Sequence, residues 1–98
     1  MGRPVQASPV RLAVFEALKV AAPAAFDEDK RRLFLEAGSN LELAALEMDS
    51  LADMEFCIAI ELSTGVALLP SQLAALASTD AIEAHVSEKL EATTGSGE

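Results

Sequence analysis

Apolar residues recur at helical spacing along this 98-residue chain, and no stretch alternates with period two for long enough to make a strand. Ser8-Pro9 predicts a helix start, with Ser as N-cap and Pro at the first helical position. Val10, Val14, Ala17, Leu18 and Ala21 form its inner stripe, and Pro23 stops it. A shorter helix follows from Asp27, with Glu28 and Asp29 in its first turn, then Leu33, Phe34 and Ala37, and Gly38 as its C-terminal cap. Ser39 to Met48 reads as a loop anchored by Leu41, Leu43 and Leu46. The third helix starts at Asp49 or Ser50, runs to about Ser63 and ends at Gly65. Phe56, Cys57, Ile60 and Thr64 share one of its stripes; Leu51, Met54, Glu55, Ile58, Glu61 and Leu62 lie on or beside another. Val66 to Pro70 is an extended connector with Leu68 or Leu69 inward, and Ser71 to Leu76 suits one or two helical turns. Ser78 or Thr79 caps a last helix with Ile82, Val86 and Leu90 inward. The pattern predicts an all-α bundle of three main helices plus one or two short ones. The domain spans residues 8–91, between a flexible N-terminus (1–7) and a flexible tail (92–98).

Composition agrees with one small domain. Apolar residues make up 51% of the chain, too many for a disordered segment even at net charge −9. The lone Cys57 excludes an intramolecular disulfide and any Cys-rich metal site. No apolar run is long enough to span a membrane, and Met1 to Ser8 lacks the apolar core of a secretion signal, so a cytoplasmic protein is the expectation. Between Arg32 and Lys89 there is no Lys or Arg, but there are ten acids. Such a surface repels nucleic acid and anionic membranes. The basic cluster Lys30-Arg31-Arg32 is expected to face solvent, while Phe26, Leu33 and Phe34 pack inward.

Asp49-Ser50-Leu51 is where chemistry enters. A serine hydroxyl at an exposed helix start suits attachment of a phosphodiester, because unpaired N–H groups and the positive end of the helix dipole face it. A long arm fixed there would project from the core while the helix behind it stays packed. No nucleophile–base pair sits within one helical turn, and there is no metal-ligand cluster, which argues against a small enzyme. Cys57 reads as a buried small hydrophobe, and His85 as a structural histidine.

These residues together resemble the acyl carrier protein family over roughly half the chain, from about Leu41 to Val86. Leu41 and Leu46 precede Met48-Asp49-Ser50-Leu51; Met54-Glu55, Glu61-Leu62, Thr64-Gly65-Val66 and Pro70 follow in the family's order. Three features depart from it. Glu47 stands where the family usually has Gly, Thr64 replaces an aromatic or large apolar residue, and the segment from Ala22 to Gly38 is longer than in minimal free-standing members. The last two favour a dedicated biosynthetic pathway over housekeeping fatty-acid synthesis.

The resemblance implies a small four-helix bundle of the acyl-carrier type, a monomer without catalytic activity of its own. Ser50 would receive phosphopantetheine from coenzyme A through a phosphopantetheinyl transferase, and the arm's thiol would hold acyl groups as thioesters. Asp49, Leu51, Asp53, Met54, Glu55, Ile58 and Glu61 would serve recognition by the transferase and by a ketosynthase, acyltransferase or acyl ligase with a basic rim. The alternatives are an aminoacyl or peptidyl carrier of a nonribosomal pathway, or an acidic helical adaptor that is not modified. Met48-Asp49 and the charge favour an acyl cargo over the first of these.

Overall fold

Proline, serine, aspartate and glycine punctuate the described residues into five α-helices. A computed structural model describes the backbone of residues 8–96 and the side chains of residues 8–91. The helices are α1 (Pro9–Ala21), α2 (Glu28–Glu36), α3 (Ser50–Thr64), α4 (Pro70–Leu76) and α5 (Thr79–Ser96), with a 3-10 turn at Leu43–Leu46. No strand occurs among the described residues, so the fold is all-α, with one isolated bridge between Glu42 and Ser78.

Three of the predicted helix starts are met by the expected side chain. Ser8 Oγ accepts from the Arg11 N–H at 3.0 Å, Asp27 Oδ1 from Lys30 N–H at 3.1 Å, and Asp49 Oδ1 from Ala52 N–H at 2.8 Å. Each satisfies one orphan first-turn donor. Gly65 ends α3 at φ 81°, a left-handed conformation that glycine adopts without steric cost. The last helix runs on to Ser96, past the predicted end near residue 91. The expected flexible N-terminus, residues 1–7, and the end of the tail, 97–98, lie outside the described residues.

The core forms where α1 lies against α3 and α5. Val14, Ala17 and Leu18 of α1 meet Phe56 and Ile60 of α3 and Ile82 and Val86 of α5, all fully buried. Val66, Leu68 and Leu73 close the α4 side, with Leu69 turned outward. Leu46 is buried, and Leu41 and Leu43 are half-buried against the core, so the predicted loop is anchored as its leucines suggest.

The α2 segment differs from expectation at Leu33 and in its basic run, where Lys30 and Arg31 are both half-buried. Phe26 and Phe34 are fully buried and stack edge-to-face at 5.9 Å with Phe15 alongside, but Leu33 is 51% exposed. Leu33 and Leu35 lie one residue either side of Phe34, at equal angles round the helix, and it is Leu35 that packs inward. Arg31 is half-buried rather than solvated. Its guanidinium donates to the Phe26 carbonyl at 2.6 Å and to the Pro23 carbonyl at 3.3 Å, satisfying carbonyls left over between α1 and α2.

Candidate functional site

The loop before α3 is held at three points. Asn40 Oδ1 accepts from the Asp80 N–H at 2.9 Å, so this loop residue caps the start of α5. Thr79, fully buried, accepts from the Leu41 N–H through Oγ1 at 3.0 Å, and its own N–H donates to the Leu41 carbonyl at 2.9 Å. The Leu43 N–H closes the clasp on the Ala77 carbonyl at 2.8 Å. With Leu46 in the core, this fixes the approach to Asp49 and Ser50. Sequence reading missed the clasp, because Asn40 and Asp80 are distant in the chain and neither type signals the other.

Glu47 makes the final turn into α3 at φ 51° and ψ 43°. Only glycine takes up this left-handed region without penalty; for other residues the cost is about 1–2 kcal/mol. The position where the resemblance expects Gly therefore has a backbone suited to Gly, adopted under strain by Glu.

Ser50 is the first residue of α3 and is exposed, directly after the Asp49 cap. Asp49 takes the Ala52 N–H through its side chain and the Asp53 N–H at 2.9 Å through its carbonyl. The Ser50 and Leu51 N–H groups precede the first intrahelical bond and stay available to an anion on Ser50. An exposed hydroxyl, a capped helix start and two free donors fit a phosphodiester; the Asp49 carboxylate opposes it in part, offset by the helix dipole.

The predicted recognition residues divide. Leu51 (64% exposed), Met54 (51%) and Ile58 (54%) form an outward apolar strip that Leu62 (83%) extends. Glu61 is exposed and Glu55 half-buried, one on each edge of that strip. Asp53 does not join them. It lies two residues from Leu51, on the opposite side of the helix, and helps to line a shallow cleft of about 290 Å³ with Leu43, Met48 and Leu73. Burial, and then the Asp49 carboxylate, push the Asp53 carboxyl up from its ordinary range. A second cleft of about 310 Å³ lies between the Ala21–Ala25 segment and Leu46–Asp49, and Met48 borders both.

Cys57 and His85 are the other candidate groups. Cys57 is buried and free, and burial, then Asp53, push its thiol up, which keeps it protonated and unreactive. His85 is half-buried, with Nε2 sealed from solvent and unpartnered in the protein. No metal-ligand cluster occurs among the described residues, and no helix among them is long and apolar enough to cross a membrane.

One side chain that sequence reading passed over organises the far side of the bundle. Arg11 donates from Nε and Nη2 to the Phe34 carbonyl at 3.0 and 2.7 Å, and from Nη2 to the Ser39 carbonyl at 2.8 Å. Its Nη1 pairs with Glu83, and the guanidinium carbon lies 3.8 Å from the Phe34 ring centroid. Arg11 thereby joins α1, the end of α2 and α5. Comparison with protein family models, with curated proteins and with solved structures found no match to the chain.

Proposed function

We propose that the chain is an acyl carrier protein. It holds acyl intermediates as thioesters on a phosphopantetheine arm attached to Ser50, and passes them between enzymes of a polyketide, fatty-acid or related specialised pathway. The observation that carries this reading is an exposed serine at the first position of a capped, well-packed helix, beside an outward apolar strip. The left-handed backbone at Glu47, where carriers of this kind have glycine, supports it independently.

Attachment is a phosphoryl transfer in which a transferase supplies the metal and the base. Ser50 Oγ attacks the coenzyme A phosphorus that bears the pantetheine. The pyrophosphate P–O bond breaks, the adenosine bisphosphate leaves, and the hydroxyl proton passes to the transferase. Asp49 fixes the helix start, so that Ser50 is presented in one orientation. When attached, the arm supplies the thiol that carries the acyl group. The chain's own part is then to present Ser50, remain folded through repeated docking, and release each enzyme quickly.

Incubation with coenzyme A and a broad-specificity phosphopantetheinyl transferase, followed by intact-mass measurement, tests the reading. One phosphopantetheine should be gained, mapping to Ser50. Ser50→Ala should fold as the parent does, because Asp49 still caps α3, and should gain nothing. Modification of Ser39, Ser63 or Ser71 instead, or no modification at all, would overturn the assignment.

A further inference from the structure

Asp53 is a carboxylate that the fold half-buries without giving it a partner. It belongs to none of the ion pairs among the described residues. Burial and then Asp49 push its carboxyl up from its ordinary range, so its charge is held at a cost. Partly desolvated polar groups normally have partners, and one left without calls for an explanation. Helix capping does not supply it, because Asp49 already caps α3.

The cleft that Asp53 faces shows what would complete it. Leu43, Met48, Leu73 and Ala77 give it apolar walls, and the charged residues that line it, Glu42 and Asp53, are both acidic. Apolar walls with charge of one sign suit a short alkyl chain that ends in a cation. A metal ion is poorly served, since no third His, Cys, Asp or Glu joins the pair among the described residues. An ammonium needs acceptors alone. The chain does not provide that cation itself: no Lys or Arg lies between Arg32 and Lys89, and Arg11, Lys19 and Lys30 pair elsewhere. The second cleft differs, because its acids, Glu47 and Asp49, are exposed and Asp49 is engaged as the cap.

We propose that Asp53 selects the cargo of this carrier, an acyl group bearing a protonated amine, whose ammonium pairs with Asp53 while its alkyl part lies against Leu43, Met48 and Leu73. Asp53 follows Ser50 by three residues, so the two side chains are neighbours on α3, about 4.5 Å apart along its axis. An arm on Ser50 therefore starts at the rim of the cleft, and its free end can fold back into it. Tethering raises the local concentration, so a contact too weak to hold a free amine becomes populated. A cargo that ends in a methyl group would instead set an apolar group against an unpaired carboxylate. Attachment of the cargo rests on the carrier reading; the preference of the cleft for a cation does not.

Chemical tethering tests this without a transferase. In Ser50→Cys the new thiolate displaces bromide from a bromoacetamide arm of pantetheine length, which ends in a β-alanyl or a butyryl amide. The two arms differ in an ammonium against a methyl group. Cys57 is buried, and intact mass should show one arm per chain. Nuclear magnetic resonance then follows the amides of Leu43, Asp53, Leu73 and Ala77 and the titration of the Asp53 carboxyl. The ammonium arm should move these amides and lower the proton affinity of Asp53 by about twofold to fivefold, the range of a partly solvated charge pair. The methyl arm should leave that affinity unlowered, and Asp53→Asn should abolish the difference between the arms in the amide shifts. Equal shifts with both arms, no shifts at the cleft, or shifts at Ala22 to Ala25 instead would overturn the proposal. Failure of the carrier reading registers separately, as absence of mass gain at Ser50 when the unaltered chain meets coenzyme A and the transferase.

Discussion

The α1–α2 side and the outer face of α3 use similar apolar residues to opposite ends. On the first, Phe15, Phe26 and Phe34 stack together, and Arg11, Lys19 and Arg31 each lie against one ring, at 3.8, 5.2 and 5.8 Å. The cations there are internally engaged: Lys19 pairs with Glu16, Lys30 with Asp27, and Arg11 with Glu83. On α3, Leu51, Met54, Ile58 and Leu62 have no such cover and stand more than half exposed between carboxylates. The long first loop is therefore a packed part of the core, and one residue of its basic run, Arg31, helps to hold α2 down. The α3 strip contributes nothing comparable to folding.

Phe34→Ala is the strongest way to break that contrast. Removing a fully buried phenylalanine costs about 3–5 kcal/mol, and each kcal/mol lowers the melting temperature of a domain this size by roughly 4–8 °C. Leu33→Ala next to it should stay within about 0.5 kcal/mol of the parent, since Leu33 is outward. Thermal unfolding of the two variants reads the difference directly. If Phe34→Ala melted with the parent, α2 would not be part of the core. Arg11→Met comes next, at about 3 kcal/mol, because it leaves the largely buried Glu83 without its partner and frees two carbonyls. Arg11→Met combined with Glu83→Met should recover part of that loss, measured as a double-mutant cycle in urea.

What could be read from sequence follows the range of the interactions. Caps act over three residues, so Ser8, Asp27 and Asp49 were legible as helix starts, and Gly65 as an end. The inward stripes of α1 and α3 were legible because thirteen and fifteen residues fix the phase of a helix. Nine residues around one phenylalanine do not, which is why Leu33 was placed inward instead of Leu35. Asp53 shows the same limit on the acidic side, since charge pattern alone does not say which side of α3 a carboxylate occupies. Arg11 was invisible because its partners are 23, 28 and 72 positions away, and an arginine in an amphipathic helix looks the same whether solvated or engaged. The place of Ser50 at the capped head of α3 was legible, since it rests on adjacent residues, and so was a turn at Glu47 made without glycine; its left-handed angles were not.

Glu47→Gly sharpens the comparison at the join between the two regions. Relief of the left-handed strain is worth about 1–2 kcal/mol, and the added freedom of the unfolded chain takes back about 0.4–1 kcal/mol. The net should be a gain of about 0.5 kcal/mol in urea unfolding, with Ser50 modified by the transferase as before. A loss of stability would mean that the Glu47 side chain makes contacts that outweigh its backbone strain.

The smallest effect concerns Asp53, the α3 acid that faces the cleft instead of the strip. Its carboxyl is pushed above the ordinary value by burial first and by Asp49 second, so between the unfolded and folded values the native state binds more protons than the unfolded one. Stability therefore falls as pH rises through that window, and above it the full penalty of the buried charge is present. Below the ordinary aspartate range both states are protonated and the penalty disappears. Asp53→Asn should accordingly melt slightly higher than the parent at pH 7, and the gap should close as pH falls into the carboxylate range. A melting gap that stays constant with pH would remove the burial argument.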